Sequence, residues 1–249
     1  MNTFFTYKDQ LPKYVAVGTF TTEHLLVLLI IVISIIFTIK KIKRESPATR
    51  DKFIKFIAWS VLVLEIIRMV WIVMIGNSEI LPVALLPLHL CGLMAIFIPL
   101  AVYTKNEILI EFVYIGGLAG AGMALLTPDV AMYPLLSLQY LQSMIIHAFI
   151  FLSGLYFIVV ENYRPNIKNV FKVLALFALL ALLVTPINML LAHQQANYFF
   201  LMYGIENTIL HTIDQNTTHA GYLMTLATIV IVFVMIMYVP FVKFNKKAS

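Results

Sequence analysis

The chain holds one cysteine, Cys91, and six histidines among its 249 residues. A single cysteine excludes an intrachain disulfide and any cysteine-rich metal site. That leaves Cys91 either packing or nucleophilic chemistry. A lone cysteine in an apolar stretch ordinarily packs as a small apolar side chain. A thiol turns nucleophilic when a base or a positive partner stands beside it, and His89 and His147 both lie in apolar stretches. Glu65 and Arg68 lie three residues apart in another such stretch, and Gln139, Gln142, Ser143 and His147 follow one another in a polar run. Together these groups offer a nucleophile, a base, amide donors for an oxyanion and a guanidinium for a phosphate. With the thiol as mere filler, the remaining groups would equally suit a solute pocket or a proton path.

The elements that must position these groups follow from composition. Hydrophobic residues make up 61% of the chain and charged residues 12%, against about 45–50% and about 25% in soluble domains. Lipid must be the solvent for most of the chain. An all-α, polytopic membrane protein of about seven transmembrane helices is expected, as a single transmembrane domain over 1–249. Its spans fall at roughly 22–39, 53–75, 83–103, 107–126, 136–160, 169–191 and 219–241. Ser46-Pro47, Gly76-Asn77, Thr127-Pro128-Asp129 and Arg164-Pro165-Asn166 supply turn chemistry between them. The N-terminus does not read as a cleaved signal peptide, because the first apolar run starts only near Thr22 and no small-residue cleavage site follows it.

Lys and Arg set the expected orientation. Lys40, Lys41, Lys43, Arg44, Arg50, Lys52, Lys55, Lys105, Arg164, Lys168, Lys172, Lys243, Lys246 and Lys247 fall on one side. Only Lys8 and Lys13 fall on the other, with Arg68 inside a span. That asymmetry predicts the N-terminus out and the C-terminus in, at the cell membrane. Basic residues placed beside apolar spans are topology determinants and headgroup contacts, not a nucleic-acid surface.

Helix rise then places the polar groups at one level. Glu65 and Arg68 come out roughly 10–15 Å below the outer surface, His89 and Cys91 roughly 9–12 Å, and His147 roughly 16 Å. Asn188 lies near the outer end of the sixth span, and Glu23 and His24 open the first on the same side. Glu65 and Arg68, at i,i+3, can pair. Pairing makes an intramembrane arginine tolerable, and holding a substrate phosphate is its other possible role. Gln139, Gln142, Ser143 and His147 form a polar stripe, which must face protein or a wet cavity; interhelical hydrogen bonds are an alternative role for the glutamines. On a regular helix His89 and Cys91 point about 200° apart, although Pro82 and Pro87 make an irregular backbone possible. Depth puts Cys91 and His147 at comparable levels without showing that they meet. Gly116, Gly120 and Ala124 form a small-residue ridge for close helix packing. His193, His211, Asp214 and His219 match no standard zinc spacing, so neither a metal nor a cofactor is expected. The stretch 196–213 is too apolar for a free loop and is expected to be an interfacial segment or a lid.

The run Leu86-Pro87-Leu88-His89-Leu90-Cys91, with His147 in the fifth span and Asn197-Tyr198-Phe199-Phe200-Leu201 outside, resembles the YwaF-like bacterial integral membrane proteins, relatives of eukaryotic transmembrane protein 164. The resemblance covers nearly the whole chain. It implies a phospholipid acyltransferase using a Cys-His pair, and by position those roles fall on Cys91 and His147. Membrane phospholipids or lysophospholipids are then the partners, with no nucleic acid and no protein partner implied. Glu65, Arg68, His89, Gln139, Gln142, Asn188, Asn197 and Tyr198 are the expected substrate-binding residues, and Gln139, Gln142 or the Gly92 amide would face the oxyanion. The competing expectation is an outward-facing binding or transport protein for a small solute, in which Glu65, Arg68, His89 and His147 are ligands or proton carriers.

Overall fold

The computed structural model describes residues 3–75, 81–205 and 208–242. Among these, every regular element is helical. Seven helices are long and apolar enough to cross a membrane: Thr22–Ile42, Pro47–Ile75, Leu81–Thr104, Glu107–Met132, Leu138–Val160, Ile167–Leu190 and His219–Phe241. The all-α, seven-span, multi-pass architecture expected from the sequence is the one adopted. The Gly76-Asn77 turn and the tail lysines Lys243, Lys246 and Lys247 lie outside the described residues. The chain divides into two compact units, one running to Pro87 and resuming over Cys91–Tyr163, the other formed by Leu88–Leu90 and the chain from Arg164.

The first unit contains α1 (Thr22–Ile42), α2 (Pro47–Ile75), α3 (Leu81–Leu85), α4 (Leu90–Thr104) but for its first residue, α5 (Glu107–Ile115), α6 (Gly122–Leu126) and α7 (Leu138–Leu155). Their starts are written in capping chemistry. The Thr21 hydroxyl accepts from His24 N–H, Asn106 from Ile108 and Leu109 N–H, and Ser137 from Tyr140 N–H. α2 starts at Pro47, earlier than its apolar stretch. Proline suits a first helical position, and Ser46 Oγ accepts the Thr49 N–H at 3.2 Å. A helix can therefore run through Arg50, Asp51 and Lys52 before it becomes apolar.

α7 is the axis of this unit, packing against α1, α2, α5 and α6. A wide π turn over Gly116–Ala121 joins α5 to α6. Because a π turn holds more than 3.6 residues, it shifts the register of the glycine ridge. The close contact is made by Gly117, where a Cβ would stand 2.8 Å from the Ile150 carbonyl, while Gly154 of α7 faces the Val113 and Tyr114 carbonyls. Trp71, Ile72, Tyr133, Tyr140 and Met144 belong to a buried core cluster around the start of α7. His24 is fully buried. Its Nδ1 accepts from Phe20 N–H at 3.0 Å and its Nε2 donates to the Leu125 carbonyl at 2.9 Å, so both ring nitrogens are used in holding α1 to α6.

The second unit contains α8 (Val170–Leu190), α9 (Ile209–Asn216) and α10 (His219–Tyr238). The segment between α8 and α9 is not a free loop. Gln195, Phe199 and Phe200 hold φ of 59°, 59° and 58°, a left-handed conformation that costs non-glycine residues energy and persists only where surroundings dictate it. Here they do. Asn188, fully buried in α8, donates to the Tyr198 carbonyl at 3.0 Å and accepts its N–H at 2.8 Å. Asn197 bonds Met202 and Tyr203, and the Tyr222 hydroxyl donates to the Phe200 carbonyl at 2.6 Å. Asp214 accepts the Gly204 N–H at 3.0 Å.

Candidate functional site

The third span breaks just before its cysteine. α3 stops at Leu85, residues 86–89 are not helical, and α4 begins at Leu90. Pro87 causes this locally, because it has no N–H for a helical bond and pushes Leu86 out of the helical region. A helix end leaves carbonyls without partners, and Arg68 of α2 supplies one by donating from Nη1 to the Ala84 carbonyl. Glu65 holds that guanidinium in turn. Arg68 Nε lies 3.1 Å from each carboxylate oxygen, and Nη2 lies 2.6 Å from Oε1. Every guanidinium nitrogen is thus engaged, in a pair whose side chains are 17% and 7% exposed. The i,i+3 spacing therefore yields an ion pair that also braces the bend. Gln142 of α7 donates to the Leu64 carbonyl at 3.1 Å, fixing α7 on α2 beside that brace.

The bend places Cys91 in the first turn of α4. Gly92 lets the turn close, since a Cβ there would stand 2.8 Å from the Pro87 carbonyl oxygen and 2.9 Å from its carbon. First-turn N–H groups lack partners within a helix, and the positive end of the helix dipole lies there. A negative charge developing on a substrate bound to Cys91 would sit in that field.

His147 reaches Cys91 from α7. The two side chains come close enough to interact, and both are half-buried. The imidazole is oriented from behind: Nδ1 lies 2.7 Å from the Ser143 carbonyl and 3.3 Å from Ser143 Oγ. A carbonyl oxygen only accepts, so Nδ1 carries a proton and Nε2 is left as the nitrogen that can exchange one with the thiol. A thiol, a base and a group fixing the base's tautomer make the arrangement of an activated nucleophile. In sequence, Ser143 stands out only as part of a polar stripe. The signal for its role was its position four residues before the histidine, one helical turn away.

The model of the TMEM164 family matches residues 19–238. The chain belongs to the TMEM164 family. No curated protein and no solved structure gives a match. In this TMEM164 family member, Glu65, Arg68, Gln139, Gln142, Cys91 and His147 all fall in the first unit, and His89, Asn188, Asn197 and Tyr198 in the second. Gln139, half-buried in the first turn of α7, makes no side-chain hydrogen bond among the described residues. The His89 ring stands edge-on to Tyr198, with centroids 5.0 Å apart, and 6.5 Å from Phe200. The Leu-His-Leu-Cys run and the Asn-Tyr-Phe-Phe-Leu run, separate in sequence, are thus joined through His89. Asn188 and Asn197 spend their amides on the backbone of the segment between α8 and α9. Among the described residues no group of three His, Cys, Asp or Glu side chains gathers to hold a metal ion.

Proposed function

We propose that this TMEM164 family protein is a phospholipid acyltransferase with Cys91 as nucleophile and His147 as its base. The observation that carries the reading is the approach of His147 to Cys91, with Nδ1 of the histidine held by the Ser143 carbonyl. His147 Nε2 takes the thiol proton while sulfur attacks the ester carbonyl carbon of a phospholipid. A C–S bond forms, and the carbonyl oxygen takes the negative charge within reach of the first-turn N–H groups of α4. When the C–O bond breaks, the lysolipid oxygen leaves with the proton from the imidazolium. A lysolipid hydroxyl, or water, then attacks the thioester and gives its proton to His147, the C–S bond breaks, and the acyl group moves on. No oxidant or reductant enters. Arg68, with each nitrogen engaged, acts by holding the bend in place, and His89 ties the outer segment to the chain two residues before the nucleophile.

The basic-residue asymmetry supports an outward placement of the site, N-terminus out and C-terminus in. A phospholipid of the outer leaflet is then the acyl donor, since acyl-CoA is bulky, polar and cytoplasmic. The solute-pocket alternative is less well supported, because Glu65, Arg68, Gln142 and Asn188 are spent on partners within the chain. Lipid profiles of cells with and without the protein test the reading. Acyl-chain composition should shift with the wild type and not with Cys91→Ala; a solute transporter would keep its effect in that variant.

A further inference from the structure

A second lipid-facing feature lies elsewhere in the first unit, at the end where α2 begins and α4 ends. A groove of about 390 Å³ runs between α2 and α7, walled by Phe56, Trp59, Ser60, Leu64, Ile145 and Phe149. The groove is open along its face, and its lining is apolar but for Ser60. His147 is two residues from both Ile145 and Phe149 on α7, so it points away from them by about 160° of helix arc. The groove is therefore separate from the thiol site.

The groove's basic end is built. The Trp59 indole N–H donates to the Tyr103 hydroxyl at 2.9 Å, joining α2 to α4 at a level where both rings are about half exposed. Lys55 Nζ lies 5.5 Å from the centroid of the Tyr103 ring and 2.6 Å from Asp51 Oδ2. Lys105, in the short connection after α4, is close enough to act on the Asp51 charge. Lys55 offsets Asp51, and Lys105 brings a further cation beside that pair. Trp and Tyr mark the interfacial level of a membrane protein, and Lys residues at that level draw anionic headgroups.

We infer that this groove binds one anionic phospholipid, with an acyl chain along Phe56, Leu64, Ile145 and Phe149 and the headgroup at Lys105, Lys55 and the Trp59–Tyr103 pair. The site serves retention of a structural lipid and does not depend on the acyl-transfer reading. The chain's two tryptophans make it testable, because Trp59 is 52% exposed and Trp71 only 4%. The full chain is reconstituted into phosphatidylcholine vesicles, and tryptophan emission is followed as brominated phosphatidylglycerol replaces part of the lipid. Quenching should saturate at a low fraction of the anionic lipid, weaken with salt, and vanish in Trp59→Phe. Brominated phosphatidylcholine should need a several-fold higher fraction. Lys105→Gln should reduce the preference about fivefold, the effect of one lysine near an anionic surface, and Asp51→Asn should increase it. Equal quenching by both lipids overturns the inference, leaving only boundary lipid at the groove. So does an absence of quenching by either, which would mean that protein, such as a second copy of the chain, covers it.

Discussion

Replacing Gly92 by alanine probes the bend that aims Cys91. The added methyl would lie 2.8 Å from the Pro87 carbonyl oxygen and 2.9 Å from both its carbonyl carbon and its Cα. All three are backbone atoms, so no rotamer change relieves the clash. Bringing the closest contact to the 3.4 Å at which ordinary packing begins means moving backbone by more than half an ångström. Overpacking of this kind costs about 1–3 kcal/mol, which a seven-span fold can absorb. Catalysis is less forgiving, since misplacing a reacting group by about 1 Å costs on the order of a hundredfold. Gly92→Ala should therefore lower turnover of a fluorescent phospholipid ten- to a hundredfold while the protein still purifies folded. Gly122→Ala is the control. Its methyl meets only the Phe151 ring, at 3.3 Å, and that side chain can yield, so turnover should change little. A folded Gly92→Ala variant with wild-type turnover would refute the idea that the Pro87–Gly92 contact sets the position of the thiol.

Two further predictions concern the scaffold. Glu65→Gln should cost about 3–5 kcal/mol, because it leaves Arg68 unpaired where it is largely buried; thermal melts in detergent should show this, and Glu65→Gln with Arg68→Met should recover much of the loss. Reporters fused after Ser46, Lys105, Arg164 and Ser249 should read cytoplasmic, and those after Asn77, Asp129 and Gln215 external, with an external Ser249 contradicting the orientation.

Some of this was legible in sequence and some was not, for physical reasons. Apolar windows of span length revealed the seven helices, because in lipid every backbone group must be satisfied within a helix. They do not show that α2 starts before its apolar stretch, since hydropathy fades at Lys52 and Arg50 while the helix runs on to Pro47. The π turn at Gly116–Ala121 has no compositional signature, and it moved the close contact from the expected ridge to Gly117. Pro87 announced an irregularity near Cys91, but not that Arg68 would brace it. Depth along a helix comes from counting residues, which placed Cys91 and His147 at one level. Their meeting depends on the rotation of α4 after the bend and on the lock between Ser143 and His147, and these are properties of packing. The segment between α8 and α9 reads as too apolar to be free, whereas the use of Asn188 and Asn197 as its ties emerges only from the fold.

The central claim is that Cys91 carries the acyl group. Purified protein is incubated with a phospholipid labelled in its acyl chain, quenched in acid and mapped by mass spectrometry. Label should appear on Cys91 as a thioester that hydroxylamine releases, it should form without acyl-CoA, and His147→Ala should slow its formation. Label that persists in Cys91→Ala, or that forms only when acyl-CoA is supplied, would contradict the account.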